Sequence, residues 1–395
     1  MTVEPYRRVL ANPGVRALLL VGLVARIPVI ATGLTLTLHV VNGMNLGFLQ
    51  AGLVGAASTA GVAVGAPAAG RFVDRHGLRP VLVVTTAAQL VFWPSAAFLP
   101  YWPLAVGAFV AGVLSLPVFS VLRQCVAAAV PAEQRRTGFT LDSMLVEVSY
   151  MIGPAVAVSA TAALSSGWTM VLVGLGLVGS GVALLVLDPP TRTDEERERD
   201  EAAVPRRQWL TPALLALLGV TLAATFVLAA AELSVVAVLK ADSATRWTGL
   251  VIGLMALSSL VGGFLYGALP RGFSPLVMIG GIAALTVPLG LVGDWQWLCL
   301  ALVPSGLLCA PALSATVDAV SRWVPTAARG EAMGLHGTAL TLGIAVSGPV
   351  TGVIIDDWGT DWSFAVAGLG GLLIVALAVP VSRLPRTAVA AAGTA

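Results

Sequence analysis

Residues 188–208 read DPPTRTDEERERDEAAVPRRQ, the one long charged stretch in a chain that is otherwise apolar. With Pro189, Pro190 and Pro205 inside it, this segment reads as a solvated tether rather than a packed element. Working outward, six apolar runs precede it, at about 15–40, 47–70, 80–99, 102–127, 138–163 and 167–187. Six more follow, at about 210–239, 247–269, 274–293, 296–320, 332–355 and 362–382. A bilayer core of about 30 Å takes about 20 apolar residues per helix, so each run predicts one membrane-spanning helix. The expected architecture is an all-α membrane protein of twelve transmembrane helices in two six-helix bundles. The bundles cover 1–187 and 210–395, joined by a charged linker over 188–209.

Composition agrees. Of 395 residues, 57% are hydrophobic and only 11% charged, where a soluble domain carries about 25% charged residues. The first apolar run is too long for a secretion-signal core and has no small-residue cleavage site after it, so it is expected to remain as the first span. Cys125, Cys299 and Cys309 lie in apolar runs without metal-ligand spacing and read as small core residues. No P-loop and no nucleophile constellation occurs, so neither an enzyme, a metal, a cofactor nor a nucleic-acid partner is expected.

Positive charge sets the expected orientation. With an inside N-terminus, the inner segments collect Arg7, Arg8, Arg16, Arg71, Arg75, Arg79, Arg123, Arg135, Arg136, Arg271, Arg322, Arg329, Arg383 and Arg386. The outer loops then hold Lys240 and Arg246, with Asp356, Asp357 and Asp361. Both termini are therefore expected on the cytoplasmic side of the inner membrane.

The two halves resemble each other. At an offset of 194, Pro117 falls on Pro311, Val130-Pro131 on Val324-Pro325, Trp168 on Trp362, and Gly174-Leu175-Gly176 on Gly368-Leu369-Gly370. Halves of equal polarity are related by an axis along the membrane normal, the arrangement in which a central site opens to each side in turn.

After the second span the chain reads Gly70-Arg71-Phe72-Val73-Asp74-Arg75-His76-Gly77-Leu78-Arg79-Pro80. This resembles the signature loop of the major facilitator superfamily, G-x-L-A-D-R-x-G-R-R. Gly70, Asp74, Arg75, Gly77 and Arg79 match, while Phe72 and Leu78 depart from it. Span count, linker and repeat extend the resemblance over nearly the whole chain, toward bacterial drug and metabolite efflux members. The resemblance implies a cytoplasmic latch favouring the outward-open state, against simple topological anchoring. Asp74 is expected to cap the eleventh helix near residues 329–332, where the helix dipole favours an anion. Arg75 is expected to pair with Glu133 or Asp142. Two family features are weaker: Ser149 stands where the fifth span of drug antiporters has glycine, and Ala108 stands near the usual arginine of the fourth span.

Charges inside spans need partners or functions. Arg26 and Glu147 lie at similar depth in spans one and five, which the resemblance places side by side. They are expected to form a buried ion pair, either structural or part of the substrate or proton site. Glu232, in the seventh span, has no cation near it in sequence and is a candidate proton carrier, cation ligand or vestibule residue. Arg123, Asp142 and Asp318 lie near inner helix ends and read as gate or pairing residues. His39 reads as a wetted residue at an outer helix end, and His336 as a packing or capping residue. Pro28, Pro117, Pro304 and Pro311 interrupt the first, fourth and tenth spans, which the resemblance places around the central cavity.

The expected activity is secondary transport by alternating access: proton-coupled efflux of small amphipathic or cationic compounds, by a monomer in the lipid bilayer. The alternative is uptake or export of a sugar or other metabolite, for which Gln89 and Gln124 are the membrane candidates. A membrane-embedded sensor is the alternative of another class.

Overall fold

The computed structural model describes residues 4–193, 204–244, 247–269 and 272–382. Arg246, Arg271, Arg383, Arg386 and the middle of the charged linker lie outside them. The described residues are helical almost throughout. In chain order the helices are α1 (Glu4–Ala11), α2 (Pro13–Leu38), α3 (Phe48–His76), α4 (Leu78–Ala96) and α5 (Tyr101–Val113). Then come α6 (Val118–Ala129), α7 (Arg135–Ala163), α8 (Ser166–Leu187), α9 (Arg206–Trp209) and α10 (Pro212–Ala241). The last are α11 (Thr248–Ala268), α12 (Pro275–Thr286), α13 (Trp295–Trp323), α14 (Arg329–Trp358) and α15 (Thr360–Ser382).

Ten helical segments are long and apolar enough to cross a bilayer, with α5 and α6 counted as one span. The 19-residue α4 and the shorter apolar segment Pro275–Leu291 stand where the third and ninth runs were expected. Large apolar side chains such as Leu20, Val24, Trp102, Val186 and Leu291 are exposed around them. A water-soluble surface would not carry so many; lipid takes them at no cost.

Local chemistry explains the element ends. Asn12 caps α2, its Oδ1 accepting from the N–H of Gly14 at 2.9 Å, and Pro13 occupies the first turn, where no N–H is needed. Thr211 and Pro212 repeat the device at the start of α10. Gly77, at φ +84°, separates α3 from α4, and Gly359, at φ +94°, separates α14 from α15. Only glycine enters that region without strain.

The chain forms two compact units: 1–194 with 330–338, and 195–329 with 339–395. In the first, α2 packs on α7 and α8, α3 on α5, and α4 on α8. In the second, α10 and α12 pack on α15, and α11 on α13. Its core is built from small and branched residues such as Val220, Ala224, Val227, Ile279 and Ala283.

The internal repeat is visible in packing. Gly112 on α5 lies against the backbone of Ser58 on α3, and its counterpart Gly306 on α13 lies against Met255 and Ser258 on α11. Between membrane helices, small residues at such crossings allow the close approach that supplies most of the packing energy. A second pair makes the same point. Ser149 on α7 places its Oγ 3.4 Å from the Leu23 carbonyl of α2, and Gly343 on α14 lies against the Leu222 carbonyl of α10. Serine is therefore small enough where the family pattern prefers glycine.

Span four is not one helix. Pro117 has no N–H to offer the preceding turn, and α5 stops at Val113 before α6 starts at Val118. Its counterpart Pro311 sits inside the unbroken α13. A side chain braces the break. Gln89 on α4 donates its Nε2 to the carbonyls of Ala111 (3.1 Å) and Leu114 (2.9 Å), and its Oε1 accepts from Trp93 Nε1 at 2.8 Å. The freed backbone oxygens thus have a donor inside the bundle, the condition for non-helical backbone at membrane depth.

Candidate functional site

Two connected groups of polar residues lie in the first unit. The first is built on the end of α3. The residue before α14, Ala328, supplies no side-chain cap, so the opening N–H groups of that helix need an acceptor from elsewhere. Asp74 provides it: Oδ1 accepts from Gly330 N–H and Oδ2 from Glu331 N–H, both at 2.9 Å. This is the cap anticipated from the sequence. Gln124 Nε2 donates to the same Oδ1 at 3.1 Å, and Arg192 donates to the Asp74 carbonyl at 2.8 Å.

Close backbone approach makes this geometry possible. A Cβ added to Gly70 would collide with the Gly330 carbonyl, and one added to Gly334 would collide with Ala66. Thr338 extends the contact by donating its Oγ1 to the Ala63 carbonyl at 2.9 Å. Arg71, a position the signature loop leaves unspecified, grips Glu331 twice, Nε to Oε2 at 2.9 Å and Nη2 to Oε1 at 2.7 Å.

The other loop residues stand apart. Arg75 is exposed, and among the described residues it forms no ion pair, so the expected pairing with Glu133 or Asp142 does not occur. Arg79 pairs with Asp188, at the start of the linker, at 2.9 Å between two exposed side chains. Such a pair contributes little.

The second group is a buried charge cluster. The Nη2 of Arg26 on α2 is bonded to Oδ1 of Asp142 on α7, and both side chains are essentially sealed from solvent. The expected partner, Glu147, is half-buried and further along α7. Depth arithmetic could not separate the two carboxylates. Five residues of helix span only about 7.5 Å, within the reach of a long arginine side chain. Asp142 also faces Arg123 on α6, whose Nε is 3.9 Å from Oδ2, while Phe119 lies 5.4 Å under the Arg26 guanidinium. Arg123 in turn places Nη1 3.1 Å from Nδ1 of His336, which is fully buried near the start of α14.

Consecutive residues of α6 therefore join the two groups, Arg123 in the charge cluster and Gln124 at the Asp74 cap. Gln124 and Arg71 were not anticipated in these roles. Their partners lie 50 and 260 residues away, and no local pattern marks such pairs.

Glu232 is exposed on α10 and engaged in an interaction of its own, which removes the expectation of an isolated carboxylate. Asp318 pairs with Arg322 one turn on, at 2.7 Å. His39 departs from expectation: it is buried in a π-helical turn with Nδ1 3.3 Å from Ser166 Oγ. Position near a helix end suggested exposure, but the start of α8 covers it. No group of metal-ligating side chains occurs among the described residues. An apolar recess between α2, α7 and α8, lined by Leu20, Val24, Pro28, Val156 and Leu172, offers almost no polar group to a ligand.

An apolar, polytopic helical protein with repeated helix packing is a membrane protein by class. The family model described as Major Facilitator Superfamily matches residues 18–293 and 214–394, and the chain belongs to that family. Its members are secondary transporters rather than enzymes. No curated protein sequence matches the chain. Among solved structures it is similar to the human organic anion transporter MFSD10, with 16% identity, TM-score 0.68, and 94% of this chain and 99% of that one covered. It is similar to a bacterial homologue of the iron transporter ferroportin in its outward-facing state, with 16% identity, TM-score 0.70, and 93% and 98% covered. It is also similar to FucP in the outward conformation, with 15% identity, TM-score 0.68, and 93% and 99% covered. At such identities the likeness establishes a shared fold.

Proposed function

We propose that this transporter is a proton-coupled exporter of small amphipathic or cationic compounds, acting as a monomer in the inner membrane with both termini cytoplasmic. The observation that carries proton coupling is Asp142 facing two guanidinium groups, those of Arg26 and Arg123. Protonating a carboxylate so placed removes the negative charge that joins them among the described residues and leaves two buried cations opposed, a large electrostatic change from one proton. Glu147, half-buried on the same helix, and Glu232 on α10 are the further carboxylates through which protons or a cationic substrate would pass. The Asp74 contact with α14 acts as the latch, and the loop carrying Gly70, Gly77 and Arg79 shapes it.

A second reading, movement of an anionic metabolite, is favoured by the balance of the cluster, two guanidinium groups to one carboxylate. The sugar alternative loses support, because Gln89 and Gln124 are both committed to protein partners.

The test uses proteoliposomes with an internal pH dye and an acid interior, to which lipophilic cations, neutral drugs, organic anions and sugars are added outside. Proton release triggered by a drug-like cation, and lost in Asp142→Asn or Glu147→Gln, is the expected result. Silence with cations but proton-linked movement of an anion overturns the first reading in favour of the second.

A further inference from the structure

We propose that the apolar recess between α2, α7 and α8 seats one acyl chain of an anionic phospholipid, with Arg16 holding its phosphate. The register of α2 places the parts. Arg16, Leu20 and Val24 follow one another at four-residue spacing, so they share one face of the helix. All three are exposed, Leu20 at 57% and Val24 at 64%, with Arg16 one turn nearer the N-terminus. Leu20 and Val24 belong to the recess, which continues along α2 to Ala31 and has a volume of about 630 Å³. At about 1.5 Å per residue, Leu20 to Ala31 covers about 16 Å, close to one leaflet of a core about 30 Å thick. Arg16 stands about 6 Å before the recess begins, where a headgroup would lie.

The facing wall, α8, is hollow because side chains are missing from it. Gly176 and Gly179 lie between Leu172 and Ala183 on the face that lines the recess. A Cβ added at Gly179 would meet nothing within 4 Å, whereas one at Gly176 would touch Pro28 of α2 at 3.0 Å. The hollow therefore opens at Gly179 and narrows at Gly176. The single hydroxyl in the lining, that of Ser180, donates to the Gly176 carbonyl at 2.7 Å. Nothing polar is left to orient a polar ligand, so the occupant of the recess is hydrocarbon. Without it the lining would forfeit its dispersion contacts on one side.

Arg16 decides the headgroup. It forms no ion pair among the described residues. The carboxylates at the corresponding ends of α1 and α8 are engaged: Glu4 with Arg7 and Arg8, at 3.2 and 3.1 Å, and Asp188 with Arg79 at 2.9 Å. A guanidinium group meets a phosphate through two parallel hydrogen bonds. Its stem can lie along apolar surface while its head reaches the membrane interface. Charge and hydrocarbon therefore follow one line along α2, in the order in which a phospholipid presents them. A zwitterionic headgroup offers the same phosphate with a cation attached, so the basic residues Arg7, Arg8 and Arg16 favour a net anion. This inference rests on the membrane fold and does not depend on which compound is carried.

The test adds increasing amounts of phosphatidylglycerol or phosphatidylcholine, each with a diazirine on one acyl chain, to the full-length protein in detergent micelles. After photolysis the labelled peptides are located by mass spectrometry. The expected result is saturable labelling of residues 20–31 and 172–183, about fivefold stronger with phosphatidylglycerol. Gly179→Leu should remove that labelling by filling the hollow, while Gly52→Leu, at an equally uncrowded glycine of α3, should leave it. Arg16→Gln should bring the two lipids level, and Arg7→Gln should not. Equal labelling by both lipids in the wild type means an annular lipid shell only and overturns the proposal. Labelling that survives Gly179→Leu overturns it too. Equal effects of Arg7→Gln and Arg16→Gln would assign the preference to the basic surface as a whole and overturn the Arg16 site. If Gly179→Leu is not monodisperse, Val24→Trp, at the exposed mouth of the recess, gives the same reading. Since no transported compound is present, failure here leaves the exporter reading standing, and failure of that reading leaves the lipid site standing.

Discussion

Arg71 and Glu331 are joined edge to edge by two parallel hydrogen bonds, Nε to Oε2 at 2.9 Å and Nη2 to Oε1 at 2.7 Å, although 260 residues separate them. The Glu331 side chain is 7% exposed and that of Arg71 38%, so the carboxylate is the partner that suffers when the pair is broken. Arg71→Ala combined with Glu331→Gln should destabilise the protein by less than the sum of the two single substitutions. A coupling of about 1–2 kcal/mol is expected from a double-mutant cycle. A coupling indistinguishable from zero would reduce the pair to a surface contact.

The Arg26–Asp142 pair predicts a much larger effect. Replacing one member of a buried pair leaves an uncompensated charge, at a cost of about 3–5 kcal/mol. Asp142→Ala should therefore express poorly and unfold early, while Glu147→Ala should be far milder. Combining Arg26→Met with Asp142→Leu should recover part of the stability without recovering transport. If Glu147→Ala proved the more damaging of the two, Arg26 would be answering to a different carboxylate.

Gly77 tests the turn between α3 and α4. With φ at +84° and ψ at 175°, Gly77→Ala forces a side chain into a conformation that costs about 1–3 kcal/mol, although no atom lies within 4 Å of the added Cβ. Gly52→Ala, equally uncrowded but inside a helix, should be neutral or stabilising by up to about 1 kcal/mol. Comparing the two unfolding midpoints separates backbone strain from crowding.

Gln89 predicts stability without specificity. Gln89→Leu removes the donor to two carbonyls at the break in span four and should cost about 1–3 kcal/mol. The rank order of transported compounds should stay the same. A changed order would return Gln89 to the substrate pathway.

Much of this was legible in the chain, for identifiable reasons. Spans announce themselves because lipid demands long apolar runs, and the linker because it violates that demand. The Asp74 cap was legible because an anion beside a helix start follows from the helix dipole, whatever the fold. The partner of Arg26 was not, because Asp142 and Glu147 differ by five residues on one helix and only the rotational setting of α7 against α2 chooses between them. The break at Leu114–Pro117 was not either. Pro117 and Pro311 align, yet only the first sits at a break, and the residue that braces the freed carbonyls lies a whole span away. His39 misled for a related reason: a position near a helix end says nothing of what another helix lays over it.

The helix α6 is only twelve residues long. The break at residues 114–117 separates it from α5 at one end, and the turn at Val130 closes it at the other. Arg123 and Gln124 sit side by side on it, one facing the charge cluster and one facing the Asp74 cap. Because the two residues are neighbours on one short helix, any displacement of α6 would disturb the charge cluster and the Asp74 cap together.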